Sequence, residues 1–178
     1  GWWTGVGGTG PEVTSATVVA ITSAQTLYAK WNTDAYKVIN GGISVPIGKT
    51  SAVQSSDDNS SDGGTSVKLG GVGLLADGEM AGITWTVTGH GVLSFDWKVS
   101  SEEGYDILSF YEVGSGITNR ISGTGMGWTR IAVEAGGGTN TVHTFRWEYS
   151  KDSIGDFVGE DCGWVDAITW TPSHELVV

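Results

Sequence analysis

The chain is poor in cysteine, proline and positive charge. It holds one cysteine, three prolines and nine lysines and arginines among 178 residues. Cys162 alone closes no intrachain disulfide, so a stable fold must come from a packed core, and the redox compartment stays open. Nine bases against 20 acids give a net charge of −11. Such a surface repels a phosphate backbone, and no nucleic-acid partner is expected. No stretch reaches the roughly 18 apolar residues that a membrane helix needs, so no membrane insertion is expected. The opening GWWTG lacks a charged segment followed by an apolar one, which places any secretion signal upstream. Segments with helical periodicity between start and stop signals are missing as well.

Glycine and tryptophan are abundant instead, at 29 and nine residues. Glycine scattered among β-branched and aromatic segments, without a three-residue period, points to short strands joined by tight turns. The expected class is all-β. Alternation is plainest in three places. Ala81, Ile83, Trp85 and Val87 oppose Gly82, Thr84, Thr86 and Thr88. Gly91, Leu93, Phe95, Trp97 and Val99 oppose Ser94, Asp96 and Lys98. His143, Phe145, Trp147 and Tyr149 oppose Val142, Thr144, Arg146 and Glu148. Further strands are expected near 106–113, 117–122, 127–134 and 163–170. In the last, Trp164, Asp166, Ile168 and Trp170 share one face and Val165 and Ala167 the other, which reads as a buried final strand. SSDDNSSDGG at 55–64 reads as an exposed loop. Many antiparallel strands with one apolar face imply two sheets packed face to face. A jelly-roll sandwich is expected over residues 35–172, after a small β segment at 1–34 that reads as a meander, and before a tail at 173–178.

Several motifs fail on their context. GVGGTG at 5–10 satisfies G-x-G-x-x-G, but a dinucleotide site needs a strand before it and a helix after it. GKT at 48–50 has Ile43 where a P-loop needs glycine, and reads as a turn. HELVV at the C-terminus lacks the second histidine of a zinc helix. His143 sits on an apolar face and reads as a structural histidine. Cys162 has no histidine nearby in sequence and reads as a buried, inert thiol. Asp96, Glu112, Glu134 and Glu148 occupy polar-face positions, so a carboxylate pair of the glycosidase kind is conceivable, although polar faces collect carboxylates in any case.

Two resemblances sharpen this reading. GWW near the start and LYAKW at 27–31 resemble the second half of the Listeria-Bacteroides repeat, also called the internalin B-repeat, a small β module of bacterial surface proteins. The stretch LSFDWKVSSEEGYDILSFYEVG, followed by ISG, GW, HTFRWEYSKD and GEDCGWVDAITW, resembles a jelly-roll module of bacterial surface and polysaccharide-degrading proteins, related in shape to MAM-like, concanavalin-like and cleaved-adhesin domains. The second resemblance implies a structural calcium tying the first strand to the last through Asp166, and the acidic loops offer Asp57, Asp62 or Asp161 as candidate co-ligands. The alternative for Asp166 is a carboxylate that caps a backbone N–H or pairs with a base.

Function follows from these expectations. Aromatic rings in solvent stack on sugar rings while polar side chains bond the hydroxyls. A polar sheet face carrying Asp96, Lys98, Arg146 and Glu148, with Trp128 and Arg130, would form such a platform. The leading expectation is a monomeric, non-catalytic carbohydrate-binding module. It would bind a polysaccharide or other glycan and be joined to further domains of a secreted or cell-surface bacterial protein. An adhesion or spacer module ranks second, and a glycoside hydrolase or lyase third.

Overall fold

The computed structural model describes residues 2–5, 9–13, 26, 28–29, 45–57, 59–115, 118–155 and 157–173. The chain divides into two compact units, Gly1–Thr33 and Asp34–Val178. In the first, β1 (Trp2–Gly5), β2 (Thr9–Val13) and β3 (Tyr28–Ala29) form an antiparallel sheet in the order β2-β1-β3. A meander would put β2 in the centre; here β1 is central, with Trp2 opposite both Val13 and Ala29. Of GVGGTG, residues 6–8 lie outside the described residues; Gly5 ends one strand and Thr9 and Gly10 open its antiparallel neighbour, where a pyrophosphate site needs a helix. Of the LYAKW stretch, Leu27, Lys30 and Trp31 lie outside the described residues, as does HELVV.

The second unit contains β4 (Val45–Gly48), β5 (Val53–Ser56), β6 (Ser66–Gly70), β7 (Met80–Thr88), β8 (Gly91–Ser100), β9 (Ile107–Glu112), β10 (Thr118–Ile121), β11 (Thr129–Ala135), β12 (Val142–Ser150) and β13 (Cys162–Pro172). Sheet one has the order β10-β9-β12-β7-β4 and sheet two the order β11-β8-β13-β6-β5. All pairings are antiparallel. This is the all-β, two-sheet sandwich expected from the alternation. A 3-10 turn, Thr50–Ala52, follows Gly48 and Lys49, so GKT is a turn. No α-helix occurs among the described residues.

The core lies between the sheets. Ile83, Phe145, Trp147 and Phe110 enter from sheet one and Leu93, Phe95, Trp97 and Val99 from sheet two, all at most 2% exposed. Phe95 is the keystone: its ring centroid lies 4.7 Å from Phe110 and 5.2 Å from Trp147 across the sandwich, and 5.7 Å from Trp97 on its own strand. Burying each such side chain contributes about 1.5–3 kcal/mol. Close approach also demands two glycines. A Cβ on Gly163 would come within 2.8 Å of Leu108 from the facing sheet, and one on Gly70 within 2.7 Å of the Tyr149 ring.

The final strand departs from the expected parity. Asp166 stands opposite Asp96 and Thr169 opposite Ser94, so Ala167 and Ile168 together face Phe95 alone. This is a β-bulge, with Ala167 at φ 47°. Trp164 and Asp166 consequently point outward from sheet two, while Ile168 is buried in the core and Trp170 packs against it. Trp170 turns toward His143 and Phe145, its ring 6.0 Å from each.

Candidate functional site

Cross-strand register sets two rows of side chains on the outer face of sheet one. Thr118, Tyr111, Arg146, Thr84 and Val45 form one row, and Arg120, Ser109, Glu148, Gly82 and Ile47 the next. Their outward direction follows from alternation, since Leu108 and Phe110 of β9 and Phe145 and Trp147 of β12 are fully buried. Between β10, β9 and β12 these rows enclose a cavity of about 380 Å³. Tyr111, Arg120 and Glu148 supply its aromatic and charged lining, Ser109, Thr118 and Ser150 its hydroxyls, and Ile107 an apolar side.

Glu148 organises this face. One of its oxygens, Oε2, accepts from the Tyr111 hydroxyl at 3.0 Å and pairs with Nη2 of Arg146 at 2.5 Å. The Arg146 guanidinium also lies 5.5 Å from the Tyr111 ring centroid, a cation–π distance. Burial first, and then the bond to Glu148, push the Tyr111 hydroxyl above its ordinary range, so the phenol stays a donor. Among the described residues Arg120, Ser109, Thr118 and Ser150 make no side-chain hydrogen bond or ion pair, which leaves their polar atoms available to a ligand. The site thus combines one held aromatic ring, free hydroxyls, one free guanidinium and one oriented carboxylate.

The side chains anticipated as one platform are divided between the two exteriors of the sandwich. Arg146 and Glu148 belong to sheet one. Asp96, Lys98 and Arg130 belong to sheet two, where Arg130 donates to Asp96 at 3.2 Å and to Ser94 at 2.9 Å. The bulk of the core separates the two sets, and no single ligand touches both. Trp128 precedes Thr129 on the β10–β11 loop and is half-buried. Trp85, Trp97, Trp147 and Trp164 are buried, so none of these four supplies a solvent platform. Glu112 departs from its expected polar-face position: it turns to the inner side, where its Oε1 meets Nδ1 of the buried His143 at 2.6 Å. Asp96 and Glu134 lie on sheet two and Glu148 on sheet one, so neither can pair with Glu148 across one glycosidic bond.

The acidic residues anticipated around a calcium ion are each engaged by other groups. Asp166 Oδ2 accepts from Ser60 Oγ at 2.9 Å, Ser61 N at 2.7 Å and Ser61 Oγ at 3.0 Å. Its other oxygen accepts from Ala167 N at 2.7 Å. Asp62 accepts from Gly64 N and Ser60 Oγ, which hold its carboxyl below the usual range, and Asp57 accepts from Thr65. Asp161 faces the opposite way and receives the Lys151 ammonium at 2.7 Å. Among the described residues no three carboxylate, histidine or cysteine side chains converge as metal ligands. This donor set does not fit a calcium ion shared by the four, and the capping alternative describes Asp166.

Asp166 instead pins the 57–65 loop to the outside of sheet two, over Trp164. That ring is fully buried beneath the ammonium groups of Lys98 at 5.0 Å and Lys68 at 5.6 Å, and Lys98 donates to Asn59 of the same loop at 3.0 Å. Asp166→Ala is expected to lower stability by about 2–4 kcal/mol, because it strands the Ser61 and Ala167 amides and the Ser61 hydroxyl, while Ser60 keeps Asp62 as an acceptor. Urea denaturation checks this, and a loss under about 0.5 kcal/mol would show that the carboxylate does not hold the loop.

Tyr111 and Arg120 escaped notice in the sequence, although a signal existed. In ILSFYE the apolar Leu108 and Phe110 fix the inward parity, which turns Ile107, Ser109 and Tyr111 outward. Arg120 carries a weaker signal, since β10 is only four residues long.

The chain is similar to several solved structures. TmCBM61, solved in complex with β-1,4-galactotriose, matches at a TM-score of 0.50 and 13% identity, over 80% of this chain and 97% of that one. The enzymatically active domain of tailspike protein 4 from bacteriophage CBA120 matches at 0.49 and 18% identity, over 79% of this chain and 20% of that one. The secreted serine protease VesC from Vibrio cholerae matches at 0.48 and 21% identity, over 68% of this chain and 24% of that one. The chain therefore spans a minor part of the tailspike and the protease but nearly all of TmCBM61. No protein-family description and no curated protein matches it. What the chain shares with TmCBM61, at this identity, is the β-sandwich fold.

Proposed function

We propose that the Asp34–Val178 unit is a non-catalytic carbohydrate-binding module, and that its site is the cavity on the outer face of sheet one. The observation that carries this reading is the grouping of Tyr111, held by Glu148 and Arg146, with three unpartnered hydroxyls around one cavity of about 380 Å³. A sugar presents apolar C–H patches and a ring of hydroxyls, and this lining matches both. The shared fold with TmCBM61, which was solved with a galactose trisaccharide, supports the reading. The module would belong to a larger secreted bacterial polysaccharide-degrading protein, and its action would be to hold that protein on its polymer.

The test is native affinity electrophoresis against a panel of plant and algal polysaccharides. Retardation by one polymer class is expected. Tyr111→Ala should weaken that binding by about tenfold or more, since aromatic stacking and an oriented hydroxyl are lost together. Silence across the panel would overturn the reading. An adhesion or spacer module would then come forward, favoured by the apolar side chains of the 101–106 and 151–161 loops: Tyr105, Ile154 and Phe157 are 59%, 81% and 61% exposed.

A further inference from the structure

We propose that the sugar recognised at this cavity is anionic, carrying a carboxylate or a sulfate ester that Arg120 binds. The inference rests on the carbohydrate-binding reading and adds the charge of the ligand to it.

The outer face of sheet one is charged differently from the rest of the chain. Overall, 20 acids face nine bases. In the two rows that border the cavity the only acid is Glu148, and it is already matched by Arg146. Arg120 is the second cation of those rows, so two positive charges less one negative leave this face at +1. Sheet two has no such surplus: its outer face sets Lys68, Lys98 and Arg130 against Asp96, Glu134 and Asp166.

Arg120 is also the exception among the described bases. Lys49 is paired with Glu79, Arg130 with Asp96, Arg146 with Glu148, and Lys151 with Asp161. Lys98 donates to Asn59 and, with Lys68, covers Trp164. Arg120 alone among them has no acidic, amide or aromatic partner, and it lines the cavity. In a chain this rich in carboxylates, an arginine left without one at the edge of a polar cavity is placed to receive one from outside. A guanidinium presents a planar fork of donors that an oxyanion fills with two charge-assisted hydrogen bonds, whereas a neutral hydroxyl fills one position and offsets none of the charge. Ser109, Thr118 and Ser150 remain for the hydroxyls of the same sugar. The net −11 of the chain opposes a polyanion at long range, but exposed charges are screened beyond about 8 Å at physiological salt, so the local +1 governs contact.

The test measures binding of the full chain by isothermal titration to two matched pairs: polygalacturonate with its carboxyl-reduced form, and a sulfated galactan with its desulfated form. The charged member of one pair is expected to bind about tenfold more tightly than its neutral partner. Which pair shows the preference identifies the oxyanion. Arg120→Gln should bring the charged member down to the level of the neutral one. Arg130→Gln removes the same charge from the other face of the sandwich and should leave the preference in place. Equal affinity within both pairs, a preference that survives Arg120→Gln, or one that Arg130→Gln removes equally would overturn the inference while carbohydrate binding stands. Binding to none of the four polymers, nor to any other glycan, would overturn both.

Discussion

Lys151→Met is expected to cost about 3–5 kcal/mol, a large part of the stability of a domain of this size. The ammonium is buried at the end of β12, 2.7 Å from Asp161 Oδ2, 3.7 Å from Asp106 Oδ2 and 3.8 Å from Asp77 Oδ1, with the Phe157 ring 4.5 Å away. Asp161 and Asp106 are themselves buried, at 0% and 2% exposure. With all of them ionised the cluster holds three negative charges and one positive. Burial, the largest cause, pushes the Asp106 carboxyl up, and the neighbouring charge of Asp161 pushes the same way. Methionine fills the space but leaves these acids without their cation, and Asp161 keeps only the Tyr149 hydroxyl, at 3.0 Å, as a side-chain donor. Urea denaturation near neutral pH measures the loss. Asp161→Asn in the Lys151→Met background should recover part of it, because it removes the stranded charge. A single-variant loss under about 1 kcal/mol would show that water already solvates the cluster.

Stability should also fall steeply in alkali, starting near the ordinary ionisation of cysteine. Burial pushes the Cys162 thiol from its usual 9.0 up to about 12. Burial, and then the charge of Asp161, raise the Tyr149 hydroxyl well beyond the usual phenol range. For Lys151 burial acts to lower the value, but the bond to Asp161 and the charges of Asp161, Asp106 and Asp77 outweigh it and raise the value. In each case the folded state keeps a proton that the unfolded chain releases. The unfolded state therefore binds fewer protons once pH exceeds the ordinary values, and stability declines as pH rises. Each group contributes about 1.4 kcal/mol per pH unit once its unfolded form ionises. Cys162 acts first, between 9.0 and about 12, and Tyr149 and Lys151 join above 10.0 and 10.5. Thermal midpoints between about pH 8 and 11 should drop progressively, and Cys162→Ala should delay the onset by about one pH unit. A midpoint that stays flat across this range would contradict the assignment of these groups as buried and protonated.

The sandwich was legible in sequence where alternation was clean. Ala81 to Val87, Leu93 to Val99 and His143 to Tyr149 lie inward as period two requires. The candidate site was only half legible, and the reason is geometric. Alternation separates inside from outside, but a sandwich has two outsides. Some consecutive strands change sheet, as β7 to β8 and β12 to β13 do, while others, β5 to β6 and β9 to β10, stay in one. Asp96 on β8 and Arg146 on β12 are both correctly outward, yet each faces solvent from the opposite sheet. Only pairing partners decide this, and they are long-range: β12 finds β7 and β9, while β8 finds β11 and β13. Glu112 failed for another reason, because a carboxylate can turn inward at a strand end when His143 meets it there.

The bulge at Ala167 and Ile168 gives the final strand two different jobs along its length. Before it, Trp164 and Asp166 serve the outer cover of sheet two; after it, Trp170 serves the ring cluster with His143 and Phe145. The extra residue works like a frame shift within a single strand. Deleting either member of the pair would swing Trp170 into solvent and drive Thr169 inward, away from its bond to Ser94 at 2.8 Å. The spacing from Trp164 to Trp170 is thus fixed to the residue, whereas surface loops such as 136–141 can gain or lose residues at little cost. Added length is absorbed by such loops and not by this strand, where one residue more or less reassigns every ring beyond the bulge to the other side of the sheet.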